Sequence, residues 1–290
     1  MNYRELRQEG VRILREHGVP DPEFDARELL FYVAGMDYST YILKESEPAD
    51  AIETDYLSLI KRRADRVPLQ HLTGVQDFMG YEFLVSKDVL IPRQDTESLV
   101  IEAEKDLLSR TGRVRILDLC TGSGCIILSL YLRNRDKVGE LCPEASDLSE
   151  KALSIARENA KRLGAEGKIC FHQGDLFDFC DQTVSKNYDI IVSNPPYIPS
   201  DVIPGLMPEV RLGDPNLALD GGADGLSIYR RLIPGAYERL NDLGSLFLEI
   251  GFDQAESVTK LMEDAGFTDI RTVQDLAGND RVVLGKKEMR

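Results

Sequence analysis

From Arg93 onward, short apolar runs alternate with amphipathic helical patterns, and this alternation limits the possible fold more than any other feature of the sequence. The predicted strands are 114–119, 169–173, 188–193, 245–251 and 282–285, and the helices predicted between them include 148–163 and 226–241. Near-continuous apolar strands separated by helices are typical of a mostly parallel sheet that is covered on both faces. The sequence therefore predicts an α/β fold.

The first third of the chain has a different pattern. Leu6, Val11 and Leu14 recur at helical spacing, Asp21 is placed to cap a second helix, and a third is predicted over 52–64. Between 70 and 90, apolar and polar residues alternate around a glycine, which indicates a β-hairpin. We therefore predict a small all-α domain over 1–74, a β-hairpin linker over 75–92 and the α/β domain over 93–290.

The charge and the metal-binding residue types exclude several functions. The 290 residues include 35 Lys and Arg against 50 Asp and Glu, a net charge of −15 that disfavours nucleic acid as a partner. Five cysteines without a CxxC pair and only three histidines predict reduced thiols and no metal site. No segment reads as a secretion signal or a membrane span, so we expect a cytoplasmic protein. The cysteines are Cys120, Cys125, Cys142, Cys170 and Cys180.

The segment VRILDLCTGSGCIILSL places Asp118, Gly122 and Gly124 where a strand ends and an apolar helix begins. In a doubly wound sheet this turn lies at the carboxyl edge, where glycines let a ligand approach the backbone closely. Turn glycines with no ligand are the alternative. A nicotinamide dinucleotide would need a third glycine, but that position holds Ile127, so S-adenosylmethionine, which has no pyrophosphate, fits better.

Two aspartates are predicted at the same edge. Asp147 precedes an amphipathic helix and can accept hydrogen bonds from two ribose hydroxyls, unless it or Ser149 only caps that helix. Asp175 ends another strand and can bond an adenine amino group, with Leu176 and Phe177 giving apolar contact; its alternative is a turn aspartate.

The tetrapeptide Asn194-Pro195-Pro196-Tyr197 directly follows the strand run YDIIVS. The prolines have a fixed φ and no amide hydrogen, so they end the ladder and stiffen the loop. If the Asn194 side-chain oxygen and the Pro195 carbonyl accept the two hydrogens of a planar NH2 group, its nitrogen is held in line with a sulfonium methyl, and Tyr197 can stack on the flat group. The alternative is a plain strand terminator with a packing tyrosine.

Six segments together resemble the HemK/PrmC family of peptide chain release factor N(5)-glutamine methyltransferases. They are PLQHLTG (68–74), LIPRQDTE (90–97), DLCTGSG (118–124), VSNPPYIP (192–199), ALDGGADGLSIYR (218–230) and LEIG (248–251). The resemblance implies a class I S-adenosylmethionine-dependent methyltransferase domain, a doubly wound and mostly parallel seven-stranded sheet with one antiparallel strand. It implies methyl transfer to the glutamine of the Gly-Gly-Gln loop of class 1 release factors, and an N-terminal domain that helps to hold the release factor.

The family motifs also assign roles by position. As catalytic we predict Asn194, Pro195 and Tyr197, and as substrate-binding these three with Pro196, Arg93 and Glu97. The predicted cofactor-binding residues are Asp118, Cys120, Thr121, Gly122, Ser123, Gly124, Asp147, Asp175, Leu176 and Asn194. An interdomain ion pair is the alternative for Arg93 and Glu97.

Three positions depart from the family pattern. Cys120 stands where the family often has glycine, Leu176 where some relatives have an aromatic residue, and Pro143 lies inside the expected second strand, which we therefore predict to be short or irregular. We expect a monomer that acts on protein. The functions left open are methylation of a ribosomal protein glutamine, methylation of a nucleic-acid amino group, and cofactor binding without catalysis.

Overall fold

The structure, a computed structural model, describes residues 1–180 and 187–289. They form two compact units. The first comprises Met1–Val75 with Met207–Gly213, and the second comprises Gln76–Leu206 with the residues from Asp214 onward. The assignment of 207–213 to the first unit was not predicted from the sequence. No described helix is both long enough and apolar enough to cross a membrane.

The first unit is helical. Its helix α1 begins at a capping box made by Asn2 and Glu5, and α2 begins at Asp21, whose side chain accepts a hydrogen bond from the Phe24 amide as predicted. The apolar faces of the helices meet in one core that includes Leu6, Leu29 and Tyr56. The helices are α1 (Tyr3–Glu16), α2 (Pro22–Ala34), α3 (Tyr38–Lys44), α4 (Glu53–Ala64), α5 (Leu69–Thr73) and, later in the chain, α9 (Pro208–Gly213).

The predicted hairpin is present as β1 (Val75–Phe78) and β2 (Tyr81–Leu84). Its two turn residues, Met79 and Gly80, have φ of 51° and 80°, the left-handed conformations that a tight two-residue hairpin requires.

The second unit is built on a seven-stranded sheet, which confirms the predicted fold class. The strands are β3 (Arg113–Leu119), β4 (Glu140–Asp147), β5 (Cys170–Gln173), β6 (Tyr188–Ser193), β7 (Leu240–Glu249), β8 (Phe267–Gln274) and β9 (Asp280–Lys287). Their order in the sheet is β5-β4-β3-β6-β7-β9-β8. Among these described strands, β9 runs opposite to all the others, so its pairings with β7 and β8 are antiparallel and the remaining pairings are parallel.

Helices cover both faces of this sheet. Along β3, Val114 and Ile116 face one apolar core while Leu117 and Leu119 face the other, which explains why the strand reads as a continuous apolar run. The helices are α6 (Glu97–Leu108), α7 (Cys125–Asn134), α8 (Glu150–Arg162), α10 (Asn216–Leu219), α11 (Ser227–Arg239) and α12 (Ala255–Ala265). The strand order changes direction between β3 and β6, and ligands of such sheets bind at the carboxyl ends of the strands beside this point.

The prediction of a short or irregular second strand is wrong. β4 is eight residues long and pairs with β3 without interruption, with Pro143 opposite Ile116. On its other side β4 pairs with β5 only from Glu144 onward. Pro143 therefore has a neighbouring strand on one side, and a proline is tolerated where its missing N–H faces an unpaired side.

Cys120, Cys125, Cys142 and Cys170 form no disulfide in the described part of the chain. The side chain of Cys180 lies outside the described residues.

Candidate active site

A cavity opens at the carboxyl ends of β3, β4 and β6 in the second unit. Ten of the predicted site residues line it, whereas Glu97, Asp118, Gly124, Pro195 and Tyr197 do not. The ten are Arg93, Cys120, Thr121, Gly122, Ser123, Asp147, Asp175, Leu176, Asn194 and Pro196.

The glycine loop between β3 and α7 turns through left-handed backbone. Cys120, Gly122 and Gly124 have φ of 59°, 55° and 79°. The value at Cys120 explains why a glycine is favoured there, since a side chain in this conformation is strained. A Cβ on Gly122 would meet no heavy atom within 4 Å, whereas one on Gly124 would press on Ala156 and Leu128 at 3.2 Å. Gly122 thus leaves room for a ligand, and Gly124 lets α7 pack closely.

Asp118 of β3 stabilises the glycine loop by a hydrogen bond made inside the core. Its carboxylate accepts a hydrogen bond from the Thr121 hydroxyl at 2.6 Å, and its side chain is fully buried. Burial raises the pKa of Asp118 to about 7. It therefore shapes the loop and does not reach the cavity.

Asp147 joins β4 to the same loop. One carboxylate oxygen accepts from the Gly122 amide at 2.9 Å and the other from the Ser149 amide at 2.8 Å. Ser149 caps α8 by accepting a hydrogen bond from the Ala152 amide. The helix cap that was the alternative role for Asp147 is therefore made by Ser149. Burial raises the pKa of Asp147, although the two amides oppose this. Asp147 faces the cavity from a fixed position, as a ribose-binding acid must.

Asp175 and Leu176 follow β5 and also line the cavity. Asp175 accepts a hydrogen bond from Arg231 of α11 at 2.7 Å through Oδ2. Phe177, which we expected to give apolar contact to an adenine, does not line the cavity. It packs instead against Gly235 of α11, under the Arg239 guanidinium at 4.6 Å from the ring centroid.

The tetrapeptide that follows β6 is held from several sides. The Asn194 Nδ2 atom donates to the Thr96 hydroxyl at 3.4 Å, and Gln254 donates to the Tyr197 carbonyl at 2.9 Å. No described residue donates a hydrogen bond to the Asn194 Oδ1 atom or to the Pro195 carbonyl. Two acceptors of the tetrapeptide thus have no donor among the described residues, and of these two residues Asn194 lines the cavity.

Tyr197 contacts a buried glutamate, Glu249, at the end of β7. Its hydroxyl donates to Glu249 Oε1 at 3.4 Å. Burial raises the pKa of Glu249 to about 7, while the Thr96 hydroxyl and the Arg281 guanidinium oppose this. Burial also raises the pKa of Tyr197. The ring is therefore fixed by its hydroxyl at one end and its backbone at the other.

The two residues predicted from the IPRQDTE segment have structural partners. Arg93 lines the cavity and forms an ion pair with Asp214, which also accepts from the Ile91 amide. Glu97 accepts a hydrogen bond from the backbone amide of Met79 at 2.7 Å. Because Met79 is a left-handed turn residue of the hairpin, this contact stabilises the turn. Both partners lie in the second unit, so neither contact is an interdomain ion pair.

Sequence reasoning missed four residues that position the site: Thr96, Asp214, Glu249 and Gln254. Thr96 lies in LIPRQDTE and Glu249 in LEIG, two segments that carry the family resemblance, but neither residue was predicted to have a role. Their polar side chains within segments typical of the family could have indicated a role in the site. Gln254 and Asp214 gave none, because their importance depends on contacts between distant parts of the chain.

The cavity fits S-adenosylmethionine better than a dinucleotide. The third-glycine position of a dinucleotide site is filled by Ile127, which is fully buried in the core. Asp147 lines the cavity, and a Cβ on Gly122 would meet no heavy atom within 4 Å. The described lining residues hold no cluster of cationic side chains for a pyrophosphate.

Comparisons with known proteins agree with this architecture. Residues 5–74 match the family described as PrmC N-terminal domain, and residues 111–262 match the family described as Methyltransferase domain. The solved structure of a human methyltransferase 10 domain containing protein is 17% identical and has a TM-score of 0.53, over 73% of this chain and 90% of that one. The fold and the matched domain define a class I methyltransferase that uses S-adenosylmethionine.

Relatives along nearly the full length identify the family. A release factor glutamine methyltransferase of Agrobacterium fabrum is 40% identical over 94% of this chain and 93% of its own length. One of Moorella thermoacetica is 41% identical over 98% of both chains. The chain belongs to the release factor glutamine methyltransferase family, as the sequence motifs indicated.

Proposed function

We propose that this chain transfers the methyl group of S-adenosylmethionine to the side-chain amide nitrogen of the glutamine in the Gly-Gly-Gln motif of class 1 peptide chain release factors. The observation that supports this best is the pair of free acceptors at Asn194 Oδ1 and the Pro195 carbonyl. Asn194 lines the same cavity as Gly122 and Asp147. Two free acceptors on one tetrapeptide suit a substrate that presents an NH2 group.

An amide nitrogen is a poor nucleophile because its lone pair is delocalised into the carbonyl group. Bound S-adenosylmethionine supplies a methyl group activated by a sulfonium. If Asn194 and Pro195 each accept one amide hydrogen, they orient the nitrogen toward that methyl and stabilise the positive charge that develops on it. Tyr197, fixed by Glu249 and Gln254, can hold the plane of the amide. The extra proton then passes to water.

The cofactor contacts follow from the same geometry. Asp147 keeps lone pairs on both oxygens for the ribose hydroxyls while the Gly122 and Ser149 amides hold it in place. Asp175 has its Oδ1 atom left to accept from the adenine amino group, because Arg231 occupies Oδ2. Leu176 adds apolar surface at the same place.

A labelled-methyl assay tests the proposal. Purified release factor is incubated with the enzyme and S-adenosylmethionine carrying a tritiated methyl group, and label is expected in the factor. A release factor whose Gly-Gly-Gln glutamine is changed to alanine should stay unlabelled. Label that persists in this variant, or none in the wild-type factor, would overturn the proposal. A ribosomal protein that competes fully for the label would move the substrate to that protein.

The cellular setting is part of the proposal. Translation termination takes place in the cytoplasm, so a release factor substrate implies that the enzyme acts there, on protein and as a monomer. The net charge of −15 supports a protein substrate over a nucleic acid. We assign substrate recognition to the helical domain over 1–74, linkage to 75–92 and catalysis to 93–290, which the match of residues 5–74 to PrmC N-terminal domain supports.

A further inference from the structure

The segment 219–225, part of the motif ALDGGADGLSIYR, lies beside the chain that directly follows the tetrapeptide. The Ile198 amide donates a hydrogen bond to the Leu219 carbonyl at 3.0 Å, and the Gly221 amide donates to the Ile198 carbonyl at 2.9 Å. Together they form a parallel bridge between Ile198 and Asp220. The residue after the tetrapeptide is therefore held on this segment by two backbone hydrogen bonds.

Two glycines let the segment come this close. A Cβ on Gly221 would lie 2.8 Å from the Tyr197 Cα atom, and a Cβ on Gly225 would overlap the Tyr197 carbonyl oxygen. Gly221 has no positive φ, so close approach and not backbone strain is the reason for a glycine there. A larger residue at either position would push the segment away from the tetrapeptide.

Gln254 fixes the same contact with its side chain, which is only 7% exposed. Its Nε2 atom donates to the Tyr197 carbonyl at 2.9 Å and to the Gly225 carbonyl at 3.4 Å. Its Oε1 atom accepts from the Gly251 amide at 3.0 Å. One buried carboxamide therefore joins the tetrapeptide, the glycine segment and the chain that follows β7.

The tetrapeptide is thus held at both ends. Before it, Ser193 of β6 is paired with β3 on one side and with β7 on the other. After it, the Tyr197 carbonyl and Ile198 are held by the contacts above. The two prolines between these ends have a fixed φ, so few backbone angles can rotate. Fixing both ends therefore restricts the direction of the Pro195 carbonyl.

We propose that Gly221, Gly225 and Gln254 are positioning residues that fix the two acceptors of the tetrapeptide in the direction of the target amide. The inference rests on the proposed function, because this direction matters only if a substrate NH2 group binds there. Small displacements of groups that orient a reacting atom lower the rate of reaction strongly. Binding of S-adenosylmethionine should not change, because the glycine loop and Asp147 make none of these contacts.

The first test removes the Gln254 carboxamide. Gln254→Met keeps the length of the side chain but has no hydrogen to donate. We expect kcat to fall by about tenfold to a hundredfold, with the affinity and stoichiometry of S-adenosylmethionine binding unchanged by calorimetry. A purely structural role would instead lower the amount of cofactor bound together with turnover. Gln274→Met is the control, because it also removes an amide donor, to Asp280, at an exposed position.

The second test adds one methyl group to the segment. Gly221→Ala should lower kcat by a similar factor at unchanged cofactor affinity. Gly205→Ala is the matched control, because Gly205 also has no positive φ and a Cβ there would meet no heavy atom within 4 Å. If Gly221→Ala does not fold, Gly225→Ala replaces it. Its control is Gly278→Ala, where φ is also positive but the surrounding space is open.

The outcomes separate this inference from the proposed function. Wild-type enzyme that labels no release factor defeats the proposed function. Wild-type enzyme that labels it while Gln254→Met or the glycine variant keeps full kcat defeats the inference alone. Cofactor binding that falls in proportion to kcat would also overturn it, since these residues would then support the fold and not the direction of the acceptors.

Discussion

At the scale of single residues, the site depends on which acceptors are already occupied. The Tyr197 carbonyl receives the Gln254 amide, whereas no described residue donates to the Asn194 oxygen or the Pro195 carbonyl. Unoccupied acceptors beside a cavity lose hydrogen bonding with water when a substrate closes over them, unless the substrate supplies the donors. Under the proposed function, the NH2 group of the target glutamine would supply these two donors.

Removing the Asn194 carboxamide should separate binding from catalysis. Asn194→Ala is expected to keep its affinity for S-adenosylmethionine, because the glycine loop and Asp147 are intact, and to lose about two to four orders of magnitude in turnover. Calorimetry and single-turnover labelling of the release factor measure the two quantities. Asn279→Ala, in an exposed loop, is the control. Loss of cofactor binding together with turnover would mean that Asn194 acts through the cofactor.

The left-handed backbone at Cys120 makes a second prediction. A β-branched residue is more strained in this conformation, so Cys120→Val should lower the free energy of unfolding by about 2 kcal/mol and weaken cofactor binding. Cys120→Gly should stay within about 1 kcal/mol of wild type, because relief of strain offsets the greater chain entropy. Urea unfolding checks both. Cys170→Val, on an exposed strand position, should be tolerated, and an equal loss in both valine variants would argue against backbone strain.

At the scale of elements, Glu97 shows how a residue of a functional segment can serve the framework. It receives the Met79 amide, whose residue has a positive φ. We expect Glu97→Ala to lower the free energy of unfolding by about 1–3 kcal/mol and to leave the KM for release factor unchanged. Unfolding and steady-state kinetics measure these effects, with Glu82→Ala of the same hairpin as control. A raised KM at unchanged stability would instead support the substrate-binding role predicted from sequence.

Buried acids at the strand ends make stability depend on pH. Asp118 has its pKa raised by burial from its ordinary 3.8 to about 7, so folded protein keeps a proton that the unfolded chain releases. The stability that this group contributes is fully present below the unfolded pKa and is lost as pH rises through 7. In cofactor-free protein, Asp118→Asn should flatten the fall of unfolding free energy in this window by up to about 1.4 kcal/mol per pH unit. Urea titrations between pH 4 and 8 measure it.

The control for that titration is Asp264→Asn, an exposed aspartate paired with Lys260. It should leave the pH dependence of wild type in place. A variant at Asp118 that titrates as steeply as wild type would show that other groups, such as the buried Asp147 with its raised pKa, account for the dependence.

The sequence predicted those elements whose pattern is local. Strands β3 and β6 were found as apolar runs, and their carboxyl ends bring the predicted Gly122 and Asn194 to one cavity, which Asp147 at the end of β4 also lines. Strand β8 was missed, because its register shifts between Thr268 and Arg271, where Asp269 has a φ of 50°. This irregularity interrupts the alternation of apolar and polar residues by which a strand is recognised in sequence.

Contacts made only in three dimensions were not predictable. Thr96, Glu249 and Gln254 come from three separate parts of the chain, and each is defined by what it touches near the tetrapeptide. Phe177 was assigned to the adenine by its place in the sequence. In the structure Phe177 is buried in the core, where its ring packs into the space left by the missing side chain of Gly235.

At the scale of the whole molecule, the first unit is discontinuous in sequence, and a buried ion pair holds its second segment. Arg63 contacts Asp25 at 2.6 Å and Glu209 at 3.0 Å, and only 5% of Arg63 is exposed. Burial raises the pKa of Asp25, while the Arg63 guanidinium opposes this. The segment 207–213, which follows the tetrapeptide in sequence, thus depends on a residue of α4.

Arg63→Met should therefore act on two distant stretches of sequence at once. Removing the cation leaves the buried Asp25 without its ion-pair partner, while Glu209 keeps Arg66 at 3.3 Å, so we expect a loss of about 3 kcal/mol in the free energy of unfolding of the first unit. Hydrogen–deuterium exchange should rise in 207–213 and in α2, while the glycine loop of the second unit keeps its protection. Arg62→Met, the exposed neighbour on α4, is the matched control and should change neither. If 207–213 kept its protection in Arg63→Met, this segment would be held by other contacts, such as the ion pair of Glu209 with Arg66 at 3.3 Å, and Arg63 would not be what joins it to the first unit.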